Sequence, residues 1–196
     1  MSEKFVLTEF LELSNDSSLL TEAEKQKVNE GEEFILAGVM QRADAENGNG
    51  RIYPLDILER EVENYKKLVR DSRALGELDH PDSPVIELKN ASHMVTYIEM
   101  RGRDVVGKIR VLDTPAGKVA KELLRGGVKL GISSRGLGST KQQNGKTMVQ
   151  EDFQLVCFDL VSEPSTTGAF MLKEGIQPNL FTKADRINRI LNSIIK

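Results

Sequence analysis

The stretch GISSRG at residues 131–136 is a serine pair bracketed by glycines in a strand-like run. Adjacent residues of a strand point to opposite faces of a sheet, so Ser133 and Ser134 cannot both serve one site. Gly131 and Gly136 allow another backbone to approach closely. The segment therefore suits a substrate-binding strand, and taken alone it also suits a glycine- and serine-rich strand end near a hairpin.

Further strands and helices are predicted on both sides of this strand. Strand signals are apolar runs bounded by turn residues, and helix starts are marked by proline or a capping threonine. The predicted strands are 34–40, 94–100, 105–112, 129–135 and 148–161, the last two joined through an Asn144-Gly145 hairpin, and the predicted helices begin at Pro54, Thr114 and Thr182. Because these elements lack regular β-α-β alternation, we expect an α+β fold with a sheet or barrel core.

The composition is that of a single soluble domain. The chain has 196 residues, of which 39% are hydrophobic and 29% charged, which is enough for one buried core and too little for two ordinary enzyme domains. A net charge of −3 gives no global signal for nucleic-acid binding. Residues 1–32 are polar and acidic and predict an arm with one short helix around residues 21–28, followed by one domain over residues 33–196.

Cysteine usage and hydropathy point to a reducing, aqueous compartment. Cys157 is the only cysteine, so no intrachain disulfide and no cysteine-based zinc site is expected. Its place on a buried strand suggests inert packing and leaves it a minor option as a nucleophile. The chain has neither a signal-peptide pattern nor a run of roughly 18 apolar residues, so we expect a cytoplasmic protein without membrane association.

A histidine suited to activate a serine lies in the peptide GELDHP at residues 76–81. A serine hydroxyl is a poor nucleophile until a base takes its proton, and histidine is suited to that task near neutral pH. His80 precedes Pro81, which favours extended geometry at the edge of a loop. The second histidine, His93, begins an apolar strand and is predicted to be structural. A surface histidine without a role is the alternative for His80.

The carboxylates around this histidine permit a metal site instead. Glu77, Asp79 and Asp82 flank His80, and such a cluster could hold a divalent ion. Its spacing matches no specific zinc or calcium motif. A metal-dependent hydrolase thus stays open as an alternative, while the leading expectation involves no cofactor and no metal.

Asp159 is the candidate for an acidic partner. In the strand-like run 153–161 it shares a face with apolar side chains and has apolar residues on the other face too. An ionised carboxylate is costly to bury without a partner, and a histidine held in the right tautomer would be one. The alternative is an aspartate bonded to backbone amides at a strand end. The order His80, Ser133, Asp159 and the lack of a G-x-S-x-G elbow disfavour the three familiar serine-hydrolase folds.

Three segments resemble signatures of the prohead (capsid maturation) proteases of T-even-like tailed phages. Two are the peptides at 76–81 and 131–139, and the third is NGRIYP at 49–54, before the first predicted helix. The run from Asp159 to Ser165 is similar to a later strand and loop of the family. The matches keep the family's order and spacing over roughly residues 34–170.

The resemblance implies a serine endopeptidase with a herpesvirus-assemblin-like β-barrel wrapped by helices. It places the base on His80 and the nucleophile on Ser133, and it selects Ser133 over Ser134. Herpesvirus enzymes use a second histidine where this chain offers Asp159, so the third role on Asp159 is a hypothesis. Ser134 and Arg135 are expected to line or brace the site. Substrate or oxyanion contacts are expected from Ser134, Arg135, Ser165 and Thr166, with oxyanion amides in 163–168.

The resemblance also implies partners and a place of action. Expected substrates are scaffold (core) and major capsid proteins inside the prohead, in the host cytoplasm, and herpesvirus relatives suggest a homodimer. Cleavage after glutamate in apolar-x-Glu motifs predicts self-cleavage after Glu22 and removal of the arm as a propeptide, and Leu7-Thr8-Glu9 fits the same pattern. The alternative from another class is an inactive capsid-core or scaffold protein that keeps the barrel.

Overall fold

The computed structural model describes residues 5–11, 17–81 and 83–162, which contain ten strands and three α-helices. The strands are β1 (Phe5–Leu11), β2 (Ile35–Arg42), β3 (Arg51–Ile52), β4 (Leu75–Glu77), β5 (Ala91–Arg101), β6 (Asp104–Val111), β7 (Gly131–Gly138), β8 (Thr140–Gln143), β9 (Lys146–Val149) and β10 (Gln154–Val161). The helices are α1 (Glu22–Asn29), α2 (Leu55–Arg70) and α3 (Pro115–Arg125), with short 3₁₀ turns at Ser17–Leu19 and Leu88–Asn90. The helix predicted from Thr182 lies outside the described residues.

The strands form three sheets, with the orders β1-β7-β10, β2-β6-β5-β4 and β3-β9-β8. A parallel bridge between Leu78 and Leu160 joins the segment after β4 to β10, so the first two sheets meet beside the peptide 76–81. The expected α+β, strand-rich architecture is confirmed. Over the described ranges the sheets do not close into a barrel.

Both long helices begin where their sequence signals place them. The Thr114 hydroxyl accepts a hydrogen bond from the amide of Gly117 at 3.1 Å, and Pro115 occupies the first turn, where no amide is needed. The helix α2 starts after Pro54 and buries one face, including Leu58 and Tyr65, against β5 and β10. None of the helices in the described ranges is long and apolar enough to cross a bilayer.

The long strand predicted over 148–161 is wrong, because a turn at residues 150–153 divides it into β9 and β10. The Asp152 carboxylate accepts hydrogen bonds from the amide and the hydroxyl of Ser139, both at 2.9 Å. The chain then enters a different sheet, with the Phe153 ring packed over Gly136, where a Cβ would lie 2.4 Å from that ring. Gly136 therefore admits a core aromatic ring, which is a packing role.

The N-terminal region contributes a strand that the sequence did not suggest. β1 pairs antiparallel with β7, which places the backbone of Phe10 opposite Ser133. The predicted short helix is present as α1. Beside it, Leu19 and Leu20 pack on the β2–β6 face, and the Lys108 ammonium bonds the Glu24 carboxylate at 2.7 Å. The division into an arm and a domain stays a prediction.

Candidate active site

His80 is positioned by the strained end of the β4 segment. Asp79 has a φ of +64°, a left-handed conformation that a non-glycine residue adopts at a cost and that aspartate tolerates better than most. The Asp79 amide donates to the carbonyl of Leu160 at 2.8 Å, which ties the backbone beside His80 to β10. The orientation of the His80 imidazole is therefore set by this contact with β10, rather than by the conformational preference of the local sequence.

The structure brings His80, Ser133 and Asp159 together. Ser133 and Asp159 are direct antiparallel partners on β7 and β10, so their side chains share a face. His80 Nδ1 lies 2.8 Å from Asp159 Oδ2, and His80 Nε2 contacts Ser133 Oγ. Because an ionised carboxylate only accepts hydrogen bonds, the Nδ1–H donates to Asp159, and Nε2 is the nitrogen placed to accept the serine proton.

Asp159 is held ionised in a fully buried position. Burial by itself would raise the pKa of its carboxyl, but the His80 hydrogen bond, the Arg135 charge and the Glu77 amide together hold that pKa below its usual value of 3.8. The Glu77 amide donates to Oδ1 at 3.0 Å. The carboxylate is thus available at neutral pH to orient the imidazole and to stabilise its protonated form.

Ser134 and Arg135, which were expected to line or brace the site, are both buried in the structure. Arg135 is fully buried; its Nε donates to Asp159 Oδ2 at 2.9 Å, and its other donors reach Glu77 and the Ser83 carbonyl. The Ser134 side chain is buried, and its hydroxyl has no hydrogen-bond partner among the described residues. Arg135 therefore braces Asp159. Ser165 and Thr166 lie outside the described residues, so their roles stay predictions.

Glu77 is the residue whose place in this network went unpredicted. Its carboxylate contacts the Arg135 guanidinium through Oε2 and accepts from the Glu87 amide through Oε1 at 3.1 Å, and the side chain is fully buried. The sequence signal was its place in the GELDHP peptide, where it was grouped with the alternative metal ligands. Only the pairing with Arg135 distinguishes a role in this network from a role as a metal ligand.

The metal alternative gains no support from these positions. His80 faces Asp159 and Ser133, whereas the Glu77 carboxylate faces Arg135. Over residues 5–11, 17–81 and 83–162, no three His, Cys, Asp or Glu side chains are grouped to hold an ion. Asp82, the fourth member of that alternative, is outside these ranges.

Cys157 is a poor nucleophile in this setting. Burial, reinforced by the negative charge of Asp159, raises the pKa of its thiol far above the usual value of 9.0. The protonated thiol donates to Asp159 Oδ1 at 3.4 Å. Because the thiolate is the reactive form, this cysteine is inert and adds one donor to the buried aspartate.

His93 is a buried neutral histidine that fixes the backbone next to Asp159. Its Nε2 donates to the Phe158 carbonyl at 3.0 Å, and its Nδ1 accepts from the Ser92 hydroxyl at 2.8 Å. Burial lowers the pKa of His93 to about 4. Gly76 packs directly against this ring, since a Cβ there would lie 2.3 Å from Nε2. The structural role predicted for His93 agrees with these contacts.

This histidine predicts a loss of stability in mild acid. The unfolded ring titrates near 6.5 and the folded ring near 4, so between these values only the unfolded chain takes up the proton. We therefore expect the free energy of unfolding to fall by about 2 kcal/mol from pH 7 to pH 5. Urea unfolding at pH 7 and pH 5 measures this change in the free energy of unfolding, and the Ser133→Ala chain is used because it cannot cleave itself. A His93→Gln chain should lose most of this pH dependence, and an equal dependence in both would contradict the assignment.

The nucleophile candidate is closed off from solvent. Ser133 is fully buried, whereas 18% of the His80 side chain is exposed. A substrate can therefore reach the hydroxyl only after a neighbouring part of the chain moves. Once the hydroxyl is reached, a serine hydrogen-bonded to a histidine, which is in turn hydrogen-bonded to an ionised aspartate, provides the groups needed for acyl transfer.

Known proteins are similar to this chain in sequence and in fold. A family model described as "Prohead core protein serine protease" matches residues 10–179. The prohead core protein protease of Enterobacteria phage T4 is 35% identical over 158 residues, covering 78% of this chain and 74% of the relative. The solved structure of the bacteriophage T4 capsid assembly protease matches with a TM-score of 0.69 and 27% identity, covering 83% of this chain and 99% of that one.

Proposed function

The chain belongs to the family of prohead core protein serine proteases, and from this premise we propose that it is a serine endopeptidase acting through Ser133, His80 and Asp159. The observation that carries the proposal is a pair of hydrogen bonds that meet at His80, one between Ser133 Oγ and His80 Nε2 and one between His80 Nδ1 and Asp159 Oδ2. An inactive core protein would have no need for this buried, fully bonded arrangement, whose charges are costly to bury.

The proposed reaction proceeds in two acyl-transfer steps. Ser133 Oγ attacks the scissile carbonyl while His80 takes its proton, and the imidazolium is stabilised by Asp159. His80 then gives that proton to the leaving amine, which releases the C-terminal product and leaves an ester on Ser133. Water, deprotonated by His80, hydrolyses the ester and restores the hydroxyl. We place the oxyanion donors among the amides of residues 163–168, near Ser165 and Thr166.

The proposed substrates are the scaffold (core) and major capsid proteins of a prohead, and the proposed location is the interior of that prohead in the host cell. The support is the family assignment and the name of the T4 relative, a prohead core protein protease. Two further proposals are a herpesvirus-protease-like β-barrel core surrounded by helices, and a homodimer. An experimental structure of residues 33–196 tests the first, and sedimentation equilibrium tests the second.

Removal of the N-terminal arm is proposed to open the site. β1 covers one edge of β7, and the Thr8 carbonyl accepts hydrogen bonds from the Asn49 amide group at 2.9 Å and from Arg51 at 3.4 Å. Glu22, the candidate cleavage site, is the first residue of α1, so cleavage there requires its first turn to unwind. The second match, Leu7-Thr8-Glu9, lies in β1 and is already extended, the conformation in which peptides add to a sheet edge.

Labelling with a fluorophosphonate tests the proposed function and the arm together. We expect one adduct, mapped to Ser133, that forms only on protein whose intact mass has fallen by residues 1–22 or 1–9. Ser134→Ala should label as the wild type does, whereas Ser133→Ala should neither label nor shorten. A label on another residue, or activity lost to a chelator, would overturn the serine mechanism. A label on the uncut chain would overturn only the role of the arm.

A further inference from the structure

Three charged side chains lie fully buried behind His80, and they do not balance. Glu77 and Asp159 each carry one negative charge and Arg135 carries one positive charge, so the cluster holds one net negative charge. Burying an unpaired charge in a protein interior costs free energy. A buried cluster with one carboxylate in excess therefore calls for a functional explanation. The side chain that can neutralise the excess is His80, when it is protonated.

The geometry makes Arg135 the link between the two carboxylates. Its Nη2 contacts Glu77 Oε2 and lies 3.2 Å from Asp159 Oδ1, while its Nε bonds Asp159 Oδ2. A guanidinium bonded to Asp159 alone would cancel the charge that the imidazolium needs. Glu77 offsets the guanidinium, so Arg135 can hold Asp159 in place without neutralising the site.

We propose that Glu77 is a positioning residue that compensates the Arg135 charge, so that the buried cluster keeps one net negative charge for the imidazolium of His80. This proposal rests on the proposed function, because it concerns the proton that His80 takes from Ser133. The Glu77 carboxylate contacts the Arg135 guanidinium and the Glu87 amide, so Glu77 acts on His80 through Arg135 and Asp159.

The other titratable groups around the cluster leave this count unchanged. Those described are Tyr65 on α2, His93 on β5, Cys157 on β10, and Asp79, Glu87 and Lys89 on the segment after β4. Tyr65, His93 and Cys157 are buried and neutral at pH 7, since burial raises the pKa of the first and third and lowers that of His93. Asp79, Glu87 and Lys89 are exposed to solvent, which screens their charges.

Glu77→Gln tests the proposal because it removes the charge and keeps the shape. The acid limb is the fall of kcat/KM on the low-pH side of its pH profile. In Glu77→Gln this limb should move to lower pH by about one unit, since the imidazolium loses a negative charge nearby. The plateau kcat should fall by about tenfold with KM unchanged, because Glu77 does not touch the substrate. A purely structural role would lower kcat without moving the limb.

Glu87→Gln is the matched control. It makes the same substitution on an exposed side chain of the segment whose amide bonds Glu77. Its acid limb should stay within about 0.3 unit of the wild type, because water screens that charge. A shift of about half a unit or more in Glu77→Gln beyond the control supports the proposal, and a smaller one overturns it.

A double variant adds a second, sharper measurement. Glu77→Gln with Arg135→Met removes one negative and one positive charge and so restores the net charge of the wild-type cluster. The acid limb should then return to its wild-type pH, although kcat stays low because Asp159 loses its brace. A limb that stays at the position of the single Glu77→Gln variant would contradict charge compensation. If the double variant does not fold, the single variant and its control decide.

The proposed function and this inference fail in different ways. If the wild type cleaves no substrate, or if Ser133→Ala cleaves as well as the wild type, the proposed function is wrong. If cleavage depends on Ser133 but Glu77→Gln keeps the wild-type acid limb, only the role of Glu77 is wrong.

Discussion

Replacing Ser133 with alanine is expected to abolish cleavage of the phage scaffold protein. The substitution removes the hydroxyl that contacts His80 Nε2 and leaves no other nucleophile on that face of β7. Loss of a triad serine lowers kcat by about 10⁶-fold in serine proteases, because the covalent route is lost. The wild-type and variant chains are co-expressed with the scaffold protein, and the fragments are identified by mass spectrometry.

Ser134→Ala is the natural control for that experiment. Ser134 is adjacent, equally buried, and on the opposite face of β7, and its hydroxyl makes no hydrogen bond among the described residues. Its replacement should leave cleavage intact and change the free energy of unfolding by less than about 1 kcal/mol. Equal cleavage by wild type and Ser133→Ala, or loss of cleavage only in Ser134→Ala, would refute the choice of nucleophile.

Asp159→Asn should be the most damaging change that keeps the shape of the site. Asp159 accepts from His80 Nδ1–H and Arg135 Nε–H at Oδ2 and from the Glu77 amide at Oδ1, whereas an asparagine has only one acceptor oxygen. Its NH₂ group must therefore face donors on one side, and where it faces His80 the imidazole turns to the wrong tautomer, so kcat should fall by about 10⁴-fold. Arg135 keeps only Glu77 as a charged partner, so the free energy of unfolding should fall by about 3 kcal/mol. Kinetics and urea unfolding measure the two effects separately.

Asp113→Asn provides the comparison for this second substitution. Asp113 pairs with Lys121 on the surface, with 85% of its side chain exposed, so solvent screens the pair and its loss should leave both the free energy of unfolding and the activity essentially unchanged. An Asp159→Asn chain that keeps a tenth or more of the wild-type kcat would show that another group orients His80.

Local signals predicted the elements that depend on short-range chemistry. Thr114 and Pro115 start α3 as a cap and a first-turn proline do, and Asn144-Gly145 takes the positive φ values of a hairpin turn, at 52° and 76°. The single strand predicted over 148–161 was wrong because of a contact with a residue outside that segment. The turn at 150–153 is held by Ser139, in the connection on the other side of the hairpin.

The alternation of side chains along the predicted strand 153–161 placed Asp159 on an apolar face, but that alternation holds over only part of the strand. A register shift between Leu155 and Cys157 interrupts the alternation, so Phe153 and Leu155 do not continue the face of Asp159. The alternation is regular from Cys157 onward, and this is the segment that sets where Asp159 points. Direct pairing with Ser133 then completes the site.

The sequence by itself determined which residue types could carry the chemistry, because a base, a hydroxyl and a buried carboxylate have recognisable local settings. Resemblance selected Ser133 from the serine pair. Only the tertiary structure decided that Arg135 braces Asp159, that Glu77 faces Arg135, and that β1 lies along β7. The partners in these contacts are far apart in the chain, 58 residues for Arg135 and Glu77, and their pairing follows from strand register, which no local pattern encodes.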